Sequence, residues 1–333
     1  LKILLGSHHF SPSIGGIETV SDLLAREFVK LGHEVRVITQ TLGENDFPFR
    51  VIRQPGPIEL FRQIAWCDVF LQNNISLRTL WPLLFLRRPL FVTHQTWIAS
   101  PNGRIGWPQR LKRLVLRFAK SFAISEAVAA QLPAPSVRVG NPYNDEIFSD
   151  FQSPERPRDL IFIGRLVSDK GVDVLIEALS ILRESGIRTQ LTVAGEGPER
   201  ARLEKQISKL GLESRVEFIG KQSSSELAEI LNRHRILVVP SRWPEPFGIV
   251  ALEAIACGCV AVGSANGGLP EAMGPCGVTF PNGDPRALAD VLAGLLMDPA
   301  QSNAFRRGAA AHLARFTRRY VANVYLEAMK SAR

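Results

Sequence analysis

The sequence predicts an α/β protein of two doubly wound domains, each a parallel sheet flanked by helices. Three observations carry this. Short β-branched and apolar runs alternate with longer segments of helical period, the pattern of parallel strands joined by crossover helices. The alternation is broken once, by the polar, proline-containing stretch SDFQSPERPRD at 149–159, and then restarts. A chain of 333 residues also exceeds one ordinary core.

In the first half, the predicted strands are KILLG (2–6), VRVIT (35–39), VFLQ (69–72), LFVTH (90–94), SFAIS (121–125) and VRVG (137–140). In the second they are LIFIG (160–164), LTVAG (191–195), VEFIG (216–220), ILVVP (236–240), CVAVG (259–263) and GVTF (277–280). Domains over 1–148 and 149–315 follow. In such sheets ligands sit beyond the carboxyl ends of the strands, so a site between two facing domains is expected.

Composition excludes several classes. With 45% hydrophobic and 22% charged residues the chain is neither disordered nor fibrous. Apolar runs such as TLWPLLFL (79–86) are far short of the roughly 20 residues that span a bilayer. The start, LKILLGS, reads as a strand and not as a leader, so a cytoplasmic protein is expected. Four cysteines, two of them in a C-x-C at 257 and 259, fit buried packing better than a disulfide scaffold or a zinc site.

Of the net charge of +8, +6 falls within residues 1–148. Between Asp68 and Glu126 there is no acid but there are nine basic residues, a stretch that seeks an anionic partner. Its segment RIGWPQRLKRLVLRFAK (104–120) is amphipathic and suits an anionic membrane surface, although a helix with one solvated basic face explains it equally well.

Candidate site residues cluster just after strands. In GSHHFSPSIGGIE (6–18), Gly15 and Gly16 open a helix whose free N–H groups favour an anion, though a plain tight turn accounts for them as well. The spacing is not G-x-G-x-x-G, which weighs against a dinucleotide fold. In IGRLVSDKG (163–171), Arg165 and Lys170 are placed to clamp a diphosphate. In VAGEGP (193–198), Gly195 permits close approach of a ligand or simply a flexible loop.

WPEPFGIVALEAIACG (243–258) carries two carboxylates, Glu245 and Glu253, in an otherwise apolar helix expected to begin near Phe247 or Gly248. Eight helical residues rise about 12 Å, comparable to the reach from the sugar of a nucleotide sugar to its ribose. Between them the amides of Gly248, Ile249 and Val250 would hold phosphate. A carboxylate at Glu253 among Val250, Ala251, Leu252 and Ile255 is costly unless a ligand hydroxyl partners it.

These motifs, with VEFIG and GGLPE (267–271), resemble the retaining glycosyltransferases of the GT-B fold, the glycosyltransferase family 4-like group that includes glycogen synthase and sucrose synthase. The resemblance implies two Rossmann-like domains facing across a cleft, the first for the acceptor and the second for the donor, with residues 316–333 returning as a helix to the first. It implies that Glu245 holds donor-sugar hydroxyls, that Glu253 holds the ribose, and that His94 lies beside the sugar. Phe218 and Ile219 would lie near the nucleobase. It further implies a UDP- or GDP-sugar donor, a glycan, lipid-linked or small-molecule acceptor, retention of configuration, and no metal cofactor; no D-x-D motif is present. The turn VGNPYNDEIF (139–148) and the Trp in THQTW (93–97) depart from the family pattern, and both bear on the acceptor.

Competing readings are a sugar-binding module without catalysis, which would be expected to have lost Glu245, Arg165 or Lys170, and a nucleic-acid-binding protein using the same charge. The pI near 9.6 suits the latter, but no helix-turn-helix, zinc-finger or aromatic-rich sheet signature accompanies it. No nucleic-acid partner is therefore expected.

Overall fold

The computed structural model describes residues 1–13, 15–44, 46–98, 106–151 and 156–331. Ile14, Arg104, Ile105 and the centre of the expected linker, 152–155, lie outside the described residues. The chain divides into two compact units, Leu1–Pro142 with Phe316–Arg333, and Tyr143–Arg315.

The first unit holds seven strands: β1 (Lys2–Ser7), β2 (Glu34–Thr39), β3 (Arg50–Arg53), β4 (Val69–Asn73), β5 (Leu90–His94), β6 (Lys120–Ala123) and β7 (Ser136–Arg138). They pair in the order β3-β2-β1-β4-β5-β6-β7, every pairing parallel. The second holds β8 (Arg158–Ile163), β9 (Leu191–Ala194), β10 (Val216–Gly220), β11 (His234–Val239), β12 (Val260–Ser264) and β13 (Gly277–Phe280). Their order is β10-β9-β8-β11-β12-β13, again all parallel. The order in which successive strands are added reverses about the first strand in each sheet, which makes β1/β4 and β8/β11 the switch points where such folds bind ligands.

Alternate residues of a strand face opposite sides, and β5 shows what each side meets. Leu90 and Val92 join a core with Leu4, Ile38, Phe70 and Leu116 beneath the crossovers β4–β5 and β5–β6. Phe91 and Thr93 face the C-terminal helix Arg318–Lys330, which Thr317 caps through Tyr320 N. There Tyr325 is 1% exposed, 4.2 Å from the Phe122 ring and 6.5 Å from Phe28, and its hydroxyl lies 2.8 Å from Thr93 Oγ1. The second unit packs Val172–Glu184 and Pro285–Met297 on one core with Phe162, Val193, Val238 and Val262.

The sequence misses one strand, β3, whose RVIR offers only two apolar residues between arginines at the sheet edge. The two described ends of the stretch 149–159 are also less free than their composition suggests. Asn232 accepts from Phe151 N at 2.8 Å and donates to Ser149 O at 2.9 Å. The Arg156 guanidinium donates to the carbonyls of Leu231, His234 and Cys257. Ser149, Phe151 and Arg156 are thus stitched to the second unit by side chains that read as solvated. All four cysteines are buried free thiols. No helix among the described residues is long and apolar enough to cross a membrane.

Candidate functional site

At the switch point of the second unit, the loops after β8 and β11 come together. The β8 loop closes in a short 3-10 turn, Ser168–Lys170, and Gly171 adopts φ +66° before the helix Val172–Glu184. A Cβ on Gly171 would fall 2.0 Å from Pro240 O, so only glycine lets this turn press against the end of β11. Arg242 N donates to Asp169 O at 2.8 Å, and the Arg242 guanidinium reaches Asp173 at 2.9 Å. Burial works against ionised Asp173, but the hydrogen bond and charge of Arg242, helped by Arg202, hold its carboxyl below the usual range.

Within this frame Lys170 Nζ lies 2.6 Å from Glu245 Oε1, and Ser241 Oγ donates to the same oxygen at 2.5 Å. Ser241 is buried and is itself fixed, its carbonyl accepting from Ser264 Oγ and Asn282 Nδ2. From the other side the GGLPE turn clasps Glu245, with Gly268 N donating to Glu245 O at 2.7 Å and Gly267 bridging the same residue. Sequence reasoning missed Ser241; the signal available was a serine at the end of a strand, four residues before the glutamate.

The helix after this loop is Ile249–Ala256, with Gly248 at φ +107° before it and no side chain capping it. The start near Gly248 agrees with the sequence, but the helical ruler does not. Glu245 stands in an extended bridge ahead of Pro246 and left-handed Gly248, so only the part from Ile249 to Glu253 is helical. Phe247 is 2% exposed and anchors the turn, while Ile249 and Val250 are half-buried. Glu253 is partly exposed as a residue, yet its carboxyl is enclosed, and burial pushes its pKa up to about 7.

Four neighbouring strand ends carry the remaining candidates. Gly164 N bonds Ala194 O at 3.0 Å and Gly195 N bonds Gly220 O at 2.7 Å, joining the ends of β8, β9 and β10. Gly195, at φ +144°, lies so close to Gly164 that a Cβ would fall 1.9 Å from its carbonyl oxygen. Phe218 and Ile219 end edge strand β10, both half-buried, with the Arg200 guanidinium 5.1 Å from the Phe218 ring centroid. Arg165 is exposed. In order along the sheet edge this gives Phe218 and Ile219, Gly195, Arg165 with Lys170, then Glu245.

His94, Gly15 and Gly16 belong to the first unit. His94 is 1% exposed with Nε2 3.2 Å from Ser121 Oγ, and burial lowers its pKa to about 4, so the ring is neutral. The helix Gly16–Lys30 does start at Gly16 with Gly15 before it, uncapped. Its own Glu18 lies against that start: a Cβ on Gly15 would fall 2.5 Å from Glu18 Oε2, which places a carboxylate where an anion was expected. Among the described residues no group of three or more His, Cys, Asp or Glu could hold a metal ion.

Comparisons with known proteins bear on both units. The glycogen synthase of Mycobacterium tuberculosis is 40% identical over 159 residues, 47% of this chain and 38% of that protein. A D-inositol 3-phosphate glycosyltransferase of Mycolicibacterium paratuberculosis is 36% identical over 185 residues, 53% of this chain and 41% of its own. The chain thus matches about two fifths of the length of these relatives. In fold, the crystal structure of Anabaena HepE in complex with UDP and glucose superposes with a TM-score of 0.82 at 21% identity, covering 99% of each chain. The two parallel sheets are therefore those of the GT-B fold. Residues 144–312, half of the chain and every candidate of the second unit, match the family model for glycosyl transferases group 1, and the chain belongs to that family.

Proposed function

We propose that the protein is a retaining glycosyltransferase that moves a sugar from a UDP- or GDP-sugar to a hydroxyl of a glycan, a lipid-linked or a small-molecule acceptor. The second unit holds the donor and the first the acceptor. The observation that carries this is the order of residues along the ends of β10, β9, β8 and β11. Strands stand about 4.8 Å apart, so these four ends span about 14 Å, the scale of a nucleotide sugar. An aromatic and apolar end (Phe218, Ile219), a close-approach glycine (Gly195), two cations (Arg165, Lys170) and a carboxylate (Glu245) follow one another as base, diphosphate and sugar do. That UDP and glucose are bound by HepE, of the same fold, favours a UDP-sugar.

In the free protein Lys170 is committed to Glu245. A diphosphate competes for the ammonium, which then releases a carboxylate oxygen to accept from sugar hydroxyls, so donor binding exchanges one internal ion pair for two ligand contacts. As the glycosidic C–O bond to the diphosphate breaks, charge grows on the leaving oxygen. Arg165, Lys170 and the open amides ahead of Val250 meet it, supplying stabilisation that is stronger in the transition state than in the ground state. The leaving oxygen accepts the proton of the attacking hydroxyl, which arrives on the same face, so configuration is retained. Charge neutralisation by side chains requires no metal. Glu253 accepts from the ribose hydroxyls.

The test is a thermal-shift screen against UDP-, GDP- and ADP-sugars, because a ligand that binds only the folded state raises its melting temperature. It is followed by turnover with and without a chelator, with the anomeric configuration of the product read by NMR. A shift with a UDP- or GDP-sugar and a chelator-resistant product of retained configuration is expected. An inverted product, or activity abolished by chelation and restored by a divalent cation, overturns the reading.

A further inference from the structure

The crossovers β4–β5 and β5–β6 lie side by side over one face of the first unit's sheet. Their inner residues, Leu80, Leu83 and Leu86 from one and Val115 and Leu116 from the other, pack on a common core with Leu90 and Val92. Their outer sides are strongly apolar: Leu84 is 82% exposed, Phe85 72%, Trp107 75%, Leu114 51% and Phe118 84%. The helix Trp107–Val115 buries no residue of its own. Large side chains held in water on two adjacent segments mark a surface that is meant to be covered.

The same face is cationic in a structured way. Arg110, Arg113 and Arg117, spaced three and four apart and so on one side of the helix and its continuing turn, line a notch of about 300 Å³ with Leu114 and Pro133. No carboxylate among the described residues pairs with any of the three, and no acid occurs anywhere between Asp68 and Glu126. Like charges at this spacing repel, and here nothing internal offsets them. An anion in the notch would: guanidinium forks match a phosphate bidentately.

The two features together select the partner. A phosphate polymer such as RNA has no use for Leu84 and Phe85, and a soluble phosphate none for Trp107 and Phe118. A bilayer of anionic phospholipid presents both chemistries at once, phosphates at the level of the arginines and hydrocarbon just below them. We propose that this face of the first unit docks on an anionic membrane, with a lipid phosphate seated between Arg110, Arg113 and Arg117 and with Trp107 and Phe118 entering the acyl boundary. The surface belongs to the first unit, and Lys170 and Glu245 to the second, so it is testable without any sugar transfer.

The experiment is co-sedimentation of the full chain with phosphatidylcholine vesicles containing or lacking phosphatidylglycerol, at low and high salt. Binding only to the phosphatidylglycerol vesicles is expected, and absence of such binding overturns the proposal. Replacing Arg110, Arg113 and Arg117 together by Gln should weaken partitioning about a hundredfold, at about fivefold per cation; an unchanged partition overturns it. Replacing the three by Lys keeps the charge and removes the fork, so binding should fall several-fold. If the Lys variant binds as the wild type does, the seated headgroup is overturned. Trp107→Ala with Phe118→Ala should remove the part of the binding that survives high salt. Saturable binding of inorganic phosphate at these arginines with no vesicle binding would assign the notch to a soluble anion instead. Unfolding midpoints of all variants check that each remains folded.

Discussion

Lys170 Nζ and Glu245 Oε1, 75 residues apart in sequence, meet at 2.6 Å across the switch point between β8 and β11. Neither side chain is free to wander, since Ser241 holds the same carboxylate oxygen and Gly171 presses the lysine's turn onto the strand end. In the proposed mechanism, removing either partner deletes a contact made to the transition state. Lys170→Ala and Glu245→Ala should each lower kcat by about a hundredfold or more, read in a donor-consumption assay, with thermal unfolding showing that the fold persists. Wild-type turnover in both variants would remove this pair from the chemistry.

Glu253 predicts a pH-dependent donor affinity. Its carboxyl has a pKa of about 7 in the free protein against an ordinary 4.5, so between those values the folded state holds a proton that the unfolded chain releases. The associated stability is present below pH 4.5 and is lost as pH rises through 7. Ribose hydroxyls donate best to the ionised form. The Kd for a UDP-sugar, whose diphosphate does not titrate in this range, should tighten as pH rises towards 7, by up to about tenfold per unit, and level off above it. Calorimetric titration of wild type and Glu253→Gln checks this, the variant being flat with pH.

His94 predicts acid sensitivity of the fold. Burial lowers its pKa to about 4 from 6.5, so the folded protein favours the neutral ring. Stability from this group is fully present above pH 6.5, declines as pH falls through the window to 4, and amounts to roughly 3 kcal/mol over that span. Denaturant melts of wild type and His94→Gln across the window should converge in slope only above pH 6.5. A variant that loses stability with acid as steeply as the wild type does would show that burial of His94 is not the source of the acid sensitivity.

Tyr325 ties the last helix to the first unit. Tyr325→Ala removes a fully buried ring between Phe122 and Phe28 and should cost about 3–5 kcal/mol. Tyr325→Phe deletes only the hydroxyl bonded to Thr93 and should cost about 1 kcal/mol. Chemical denaturation midpoints distinguish the two.

Much of this was legible in the sequence for a physical reason: buried parallel strands are continuous β-branched runs, and glycine, lysine and glutamate after strand ends are hard to explain as packing. Strand β3 was not legible because an edge strand needs few apolar residues, and RVIR has two. The separation of Glu245 and Glu253 was misread because the helical rise was counted over all eight residues, whereas Glu245 bridges Gly267 in an extended conformation and the helix starts only at Ile249. The Glu18 carboxylate over Gly15 and the stitching of Arg156 to three carbonyls depend on side-chain directions that spacing does not encode.

Because Phe316–Arg333 belongs to the unit that begins at Leu1, the second unit is, in topological terms, an insertion into the first. During synthesis the second unit is continuous and complete once Arg315 has emerged, whereas the first unit waits for its closing helix. Until Tyr325 arrives, the aromatic face of Phe91 and Phe122 has no cover. Of the two units, the one made first is therefore the one finished last, and nascent chains stalled short of residue 316 should expose that face to chaperones while already holding a folded second unit.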